Sequence, residues 1–302
     1  MPFTLSHAAA VLPAVRTDGT GRKGLIPAVL VAGSFSPDMT YYVASVLPEA
    51  MEFGEVTHSL AGVFTVDVVV AWALVGLWLL LREPLVALLP VRRQGRLATL
   101  LRCGSPRARV GPSLAARWYV SAALGALTHV VWDAFTHLDR WGMRLFPVLG
   151  EEIAGSPLYW YLQYGGSAVA AVVIAAFVTV ALRRSPAVAP AGVPVLSGRD
   201  RWLAGAVIGG LAVVAAVQRA ARWWAYWGST AKYWELIPTL CFGAGAGLVL
   251  GLPLYAVGVR VWRPVRAPGS AGADGHPDAD ADADADGDVD GAGREPSRPA
   301  AR

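Results

Sequence analysis

Residues 60–81 read LAGVFTVDVVVAWALVGLWLLL, in which Asp67 is the one ionisable group. About 20 apolar residues are what a helix needs to cross the hydrocarbon core of a bilayer. Within that core the backbone must bond to itself, so an open run of this kind folds as a helix. Four more stretches share the character, near 116–137, 165–182, 202–218 and 236–259. The sequence therefore predicts an all-α, polytopic integral membrane helix bundle of about five transmembrane helices. Composition agrees, with 55% of residues hydrophobic, 16% charged and a mean hydropathy of +0.45, where soluble domains carry roughly a quarter charged residues. Disordered, fibrous and small disulfide-stapled classes are excluded. Cys103 falls in a basic loop and Cys241 in an apolar run, so no bridge between them is expected.

Ahead of the first span, residues 5–15 and 24–35 predict two short helices, and Pro37 marks a boundary after Ser36 by disfavouring helical geometry there. We assign residues 1–263 to a helical membrane domain, with 1–58 as an outer head. Residues 264–302, rich in Asp, Ala, Gly and Pro, form a disordered tail. The tail has EF-hand-like text at 282–287, but the twelfth position from Asp282 is Gly293 rather than a bidentate Glu, so no folded calcium site is expected, and His276 is a solvated residue. The opening residues contain no basic leader, so no cleavable signal is expected. The net charge is +4, and most cations flank apolar segments, above all between Arg82 and Arg117. That bias places the basic loop and the C-terminal tail in the cytoplasm of the cell and the head outside its membrane. It also favours the lipid bilayer over nucleic acid as the partner. The sequence gives no oligomeric state.

Ionisable groups inside a membrane are costly and mark function. Of five histidines, four (His7, His58, His129 and His137) fall near the outer ends of the segments, together with Asp38 and Asp133. The spacing His129, Asp133, His137 is i, i+4, i+8, which on a helix keeps the three on one face but separates the two imidazoles by about 12 Å along the axis. Either one ion takes Asp133 with one histidine, or Asp133 bridges two ions. His7, Asp38 and His58 would supply the remaining ligands. A mixed imidazole and carboxylate set suits a divalent metal, zinc first, with manganese or iron as alternatives to it. Asp67, on the helix face opposite His58, is expected to be a helix-packing hydrogen-bond partner.

At MPFTLSHAAA (1–10), GSFSPD (33–38), THSL (57–60) and LTHVVWDAFTH (127–137) the chain resembles an uncharacterised family of bacterial multi-pass membrane proteins, catalogued as a domain of unknown function. It is more remotely similar to YdjM-like membrane-bound metal-dependent hydrolases, which share an early His, a Pro-Asp turn, a His-Ser or His-Thr pair and a later His with Asp four residues on. The resemblance covers about residues 1–165. It implies His7, Asp38, His58, His129 and Asp133 as metal ligands, with His137 as a further ligand or neighbour. Ala8 stands where the YdjM-like proteins tend to have Arg.

The leading expectation is a membrane-embedded metal-dependent hydrolase acting on a phosphoester or lipid ester through metal-activated water, with Asp133 and Asp38 as catalytic residues and no organic cofactor. Arg140 could stabilise developing negative charge, although snorkelling at the interface accounts for it equally. Aromatic residues, among them Tyr41, Tyr42, Trp223, Trp224, Tyr226, Trp227, Tyr233 and Trp234, form an interfacial belt or a mouth for an amphiphilic or lipid substrate. The alternative is a noncatalytic membrane protein that uses the His and Asp residues for divalent-ion binding, transport or helix packing.

Overall fold

A computed structural model describes residues 3–105, 111–138, 140–230 and 235–263. The tail expected from residue 264, with its EF-hand-like text and His276, and the aromatic pair Tyr233 and Trp234 lie outside the described residues. Long helices dominate: α6 (Val66–Leu88), α8 (Pro112–Ala134), α10 (Leu158–Arg184), α11 (Gly198–Trp227) and α12 (Leu236–Trp262). Of these, α6, α10, α11 and α12 are long and apolar enough to cross a membrane. The expected span at 116–137 forms α8, which equals α6 in length at 23 residues. Arg117, His129 and Asp133 dilute its hydropathy, and it buries Ser121, Ala122, Gly125, Ala126, His129, Val130 and Asp133 inside the bundle. A two-residue antiparallel pair, β1 (Glu152–Ile153) and β2 (Ser156–Pro157), precedes α10.

The first apolar run does not form one helix. Leu60–Phe64 make the short helix α5, the chain breaks at Thr65 (φ −128°, ψ −86°), and α6 then runs on through Pro84. A proline inside a helix leaves the carbonyl four residues back without its donor. Here that carbonyl belongs to Leu80, and Arg260 Nη2 from the end of α12 donates to it at 2.6 Å, while Tyr255 donates its hydroxyl to the Pro84 carbonyl at 2.7 Å. The fourth run continues past Gln218 and Arg219 into the aromatic residues that follow. A capping box of Ser197 and Asp200 opens α11, which continues to Trp227 and ends at Gly228 with φ +53°. Gly243, Gly247 and Gly251, one turn apart on α12, lie against Ala216, Ala212 and Ile208 of α11. Small residues in that register let two helix backbones approach closely within a membrane.

The N-terminal residues form short helices, as expected: α1 (Ala8–Val11) between 3-10 turns, then α2 (Pro27–Phe35), a 3-10 turn at Ser36–Asp38, α3 (Met39–Val43) and α4 (Gly54–Thr57). Ser36 keeps helical geometry (φ −56°, ψ −38°) and opens the 3-10 turn, with Pro37 as its second residue, so the boundary is a tightening rather than a stop. Residues 1–58 pack into the helical bundle. Gly24 accepts a hydrogen bond from Arg117 at the start of α8, Thr17 accepts one from Arg184 at the end of α10, and Gly19 lies over Leu100 at the end of α7 (Val91–Leu100). Arg16, Arg22 and Lys23 therefore sit at the basic end of the bundle, opposite His7 and Asp38. The two arms, each too short to cross alone, form a hairpin that threads through the bundle.

The hairpin is held by close backbone contact. A Cβ at Gly33 would strike the Ala122 backbone, and one at Gly125 would strike the backbone of Leu30 and Ser34. Val29, Ala32, Val68, Ala71, Val75, Ala122 and Ala123 fill the space among α2, α6 and α8. Gly33→Val and Gly125→Val should each destabilise the fold, by about 1–3 kcal/mol or more, read as a lowered thermal midpoint in detergent. Gly76→Val, with open space around it, should leave the midpoint unchanged. Equal behaviour of the three variants would refute the close-packing account.

Candidate metal centre

The approach of α2 to α8 sets the first ligand. With no side chains between the backbones, the Ser34 carbonyl reaches His129 Nδ1 at 2.8 Å. At His58, which caps α4, Nδ1 meets the Gly54 carbonyl at 2.9 Å. A carbonyl can only accept, so each Nδ1 carries a proton, and in the neutral ring each Nε2 is left with a lone pair facing the centre. Asp38 is held from its other side: Oδ2 accepts from the Thr4 hydroxyl at 2.6 Å, and the Thr57 hydroxyl donates to the Pro37 carbonyl at 2.8 Å, pinning the turn. Asp133 lies one turn beyond His129 on α8.

These arrangements bring Asp38, His58, His129 and Asp133 together, all buried, with one ligand atom from each inside a sphere of mutual separations no greater than 4.8 Å. His129 Nε2 is 3.4 Å from Asp38 Oδ1 and 3.3 Å from Asp133 Oδ2, and His58 Nε2 is 3.6 and 3.7 Å from the same two oxygens. Such distances are long for N–H···O hydrogen bonds. Two ligand atoms each about 2.0–2.1 Å from one tetrahedral ion stand roughly 3.3 Å apart. The four atoms therefore fit a single divalent cation. His129 Nε2 is also buried with no hydrogen-bond partner, a condition that native interiors rarely leave unanswered.

The other expected ligands lie beside this set. His7 stacks on His129 with ring centroids 3.6 Å apart and planes 12° apart, and its Nε2 is 3.5 Å from Asp133 Oδ1. Neither of its ring nitrogens has a hydrogen-bond partner. Helix α8 ends at Ala134, so the i+8 arithmetic does not apply to His137; it folds back with Nδ1 3.6 Å from Asp133 Oδ2, and its Nε2 meets the Gln163 side-chain amide at 2.8 Å. Of the two sequence alternatives, the one-ion arrangement with Asp133 and a single histidine of the triplet matches the geometry, and no second group of three ligands gathers among the described residues. Asp67 is buried with neither oxygen hydrogen-bonded. The break at Thr65 removes the helix-face relation to His58 on which its expected packing role rested.

Protonation states outside the spans suit a cation. Burial, reinforced by His129 alongside, holds His7 neutral, well below its usual value. Burial pushes the Asp38 carboxyl up, but His129 and His58 outweigh it and keep the group well below the usual carboxylate range. Burial lowers His58, yet the neighbouring carboxylates of Asp133 and Asp38 raise it overall. A cation at the centre would replace that proton.

Gln163 and Thr4 were not foreseen. Gln163 carries a weak signal, a polar residue just after the Tyr159-Trp160-Tyr161 run; Thr4 carries none beyond its place in the opening motif. A cavity of about 1290 Å³ opens onto Asp38, His58, Asp133 and His137, and Arg140 lines it. Thr4→Val should keep the fold but lower metal affinity, by about tenfold or more as for other groups that orient a ligand. Competition with a chelator would measure this, and unchanged affinity would show that Thr4 does not position Asp38.

The model of a family described as Domain of unknown function (DUF4184) matches residues 1–257. No curated protein and no solved structure matches the chain. Because the matched region contains the whole His and Asp cluster and nearly all of the helical part, the chain belongs to the DUF4184 family.

Proposed function

We propose that the protein is a membrane-embedded metal-dependent hydrolase acting on a phosphoester or lipid ester. The observation that supports this most is the spacing of Asp38, His58, His129 and Asp133 around one point, at the floor of a cavity that reaches three of the four. A divalent cation bound there, zinc first and manganese or iron otherwise, would lower the pKa of a water to about 7 and polarise the bond to be broken. The chain's own residues do the rest. Ser34 and Gly54 fix the imidazole tautomers, Thr4 orients Asp38, and His137, tied to Gln163, stands over Asp133 at the cavity wall. The similarity to YdjM-like hydrolases through His7, Asp38, His58, His129 and Asp133 supports the same reading.

One observation favours a second reading. Four protein ligands make a closed set for zinc, as in structural sites, whereas catalytic sites keep a position open. An ion accepting five or six ligands, as manganese and iron do, leaves room at the cavity side. A closed site would serve ion binding or helix packing without turnover, and a transporter would move the ion.

Two measurements follow. Detergent-purified protein should carry near-stoichiometric Zn, Mn or Fe by elemental mass spectrometry, lost in folded His129→Ala and Asp133→Ala variants, and should hydrolyse some member of a phosphoester and lipid-ester panel. Absence of bound metal after reconstitution with each ion would sink the reading. Metal retained with no turnover would favour the closed structural site, and ion flux in liposomes would favour transport. We also propose that the site faces outward across the cell membrane, with the basic loop and tail cytoplasmic, since Arg16, Arg22 and Lys23 join the basic end. In a background lacking Cys103 and Cys241, an impermeant thiol reagent applied to whole cells should label Ser156→Cys and spare Ser105→Cys; the reverse pattern would invert the orientation.

A further inference from the structure

The cavity that opens onto the metal centre is also lined by the end of α11, with Arg219, Arg222, Trp223, Tyr226 and Trp227, and by Arg140. Nη1 of Arg219 donates to the Tyr41 carbonyl at 2.8 Å and to the Ser45 hydroxyl, and Nη1 of Arg222 donates to the Ser45 carbonyl at 3.2 Å. Those bonds cap the end of α3 and aim the two guanidinium groups. Among the described residues neither arginine pairs with a carboxylate, and no protein acceptor engages Nε or Nη2 of either. A divalent cation would balance Asp38 and Asp133, which leaves three arginines against Glu235 in the cavity lining. Guanidinium groups with open donors match phosphate oxygens in geometry as well as charge.

We propose that Arg219, Arg222 and Arg140 form an anion clamp that receives a phosphoryl headgroup in the cavity they share with the metal ligands, so that the substrate is a phosphate-bearing amphiphile. The inference rests on the metal-centre reading for where the phosphoryl group is presented. Size supports an amphiphile: about 1290 Å³ exceeds the roughly 300–1,000 Å³ of ordinary small-ligand sites and far exceeds a phosphate ion. The lining also carries Trp223, Trp227 and Phe242, whose ring lies 5.6 Å from the Arg219 guanidinium, a surface for acyl chains or another apolar body.

The test is equilibrium binding to the full chain in nanodiscs of neutral lipid, with metal content measured on the same samples. Three probes are titrated: inorganic phosphate, dihexanoyl phosphatidic acid, and dihexanoylglycerol, which lacks the phosphate. Phosphatidic acid should bind, and Arg222→Gln should weaken it about tenfold, with Arg222→Lys recovering part of the loss. Arg219→Gln also removes a cap from α3, so Arg222 and Arg140 are the primary variants and Arg219 is interpreted only where the thermal midpoint is kept. Tighter binding of phosphatidic acid than of inorganic phosphate identifies a lipid-borne headgroup; equal binding identifies a soluble phosphate, keeps the clamp and overturns the amphiphile. Dihexanoylglycerol binding as tightly as phosphatidic acid, or full affinity in folded Arg222→Gln and Arg140→Gln, overturns the proposal. Arginine-dependent binding to protein that holds no metal would leave the clamp standing and remove the hydrolase.

Discussion

Two carboxylates, Asp38 and Asp133, are buried with ligand atoms within 4.8 Å of each other, and much of the surrounding structure answers that fact. Unit charges of the same sign about 4 Å apart repel by roughly 4 kcal/mol at an effective dielectric of 20, on top of the desolvation of each. A fold retains such a pair by protonating one of the two or by bringing positive charge to it. The imidazoles of His58 and His129, each with Nδ1–H turned away toward a backbone carbonyl, aim Nε2 at the centre, where the neutral ring offers a lone pair to a cation. The buried Nε2 of His129, with no hydrogen-bond partner, gives the metal reading its weight over a network of histidine and aspartate alone.

Backbone proximity makes the arrangement attainable. His129 meets the Ser34 carbonyl because Gly33 and Gly125 let α2 and α8 approach without side chains between them. The same device recurs at Gly243, Gly247 and Gly251, which seat α12 on α11, two of the helices whose residues line the cavity. Small residues thus decide where the polar ones stand, although they contribute no chemistry of their own.

Much of this was legible in the sequence, for identifiable reasons. Apolar length announced α6, α10, α11 and α12, because the bilayer tolerates few other folds. The His and Asp residues stood out because each is expensive at its depth. Local geometry was less accessible. Nothing in LAGVFTVDV signals that the chain breaks at Thr65, and helical spacing could not show that α8 ends at Ala134 and lets His137 fold back. The threading of the N-terminal hairpin was hidden as well, since two short apolar segments look alike whether they lie on a membrane or inside a bundle. Charge counting likewise could not show that the loop carrying Arg16, Arg22 and Lys23 meets the ends of α8 and α10.

That hairpin bears on how the molecule is assembled. α2 has nine residues, about 14 Å at 1.5 Å per residue, less than half of a hydrocarbon core of roughly 30 Å. It cannot hold a place in the bilayer by itself, and the wall it packs against, α8, is synthesised some eighty residues later. The first segment made thus waits for α8 before it can dock fully, and it carries His7 and Asp38 with it. The centre cannot close around an ion until α8 has brought His129 and Asp133, so that loading of the site depends on the docking of an earlier segment against a later one.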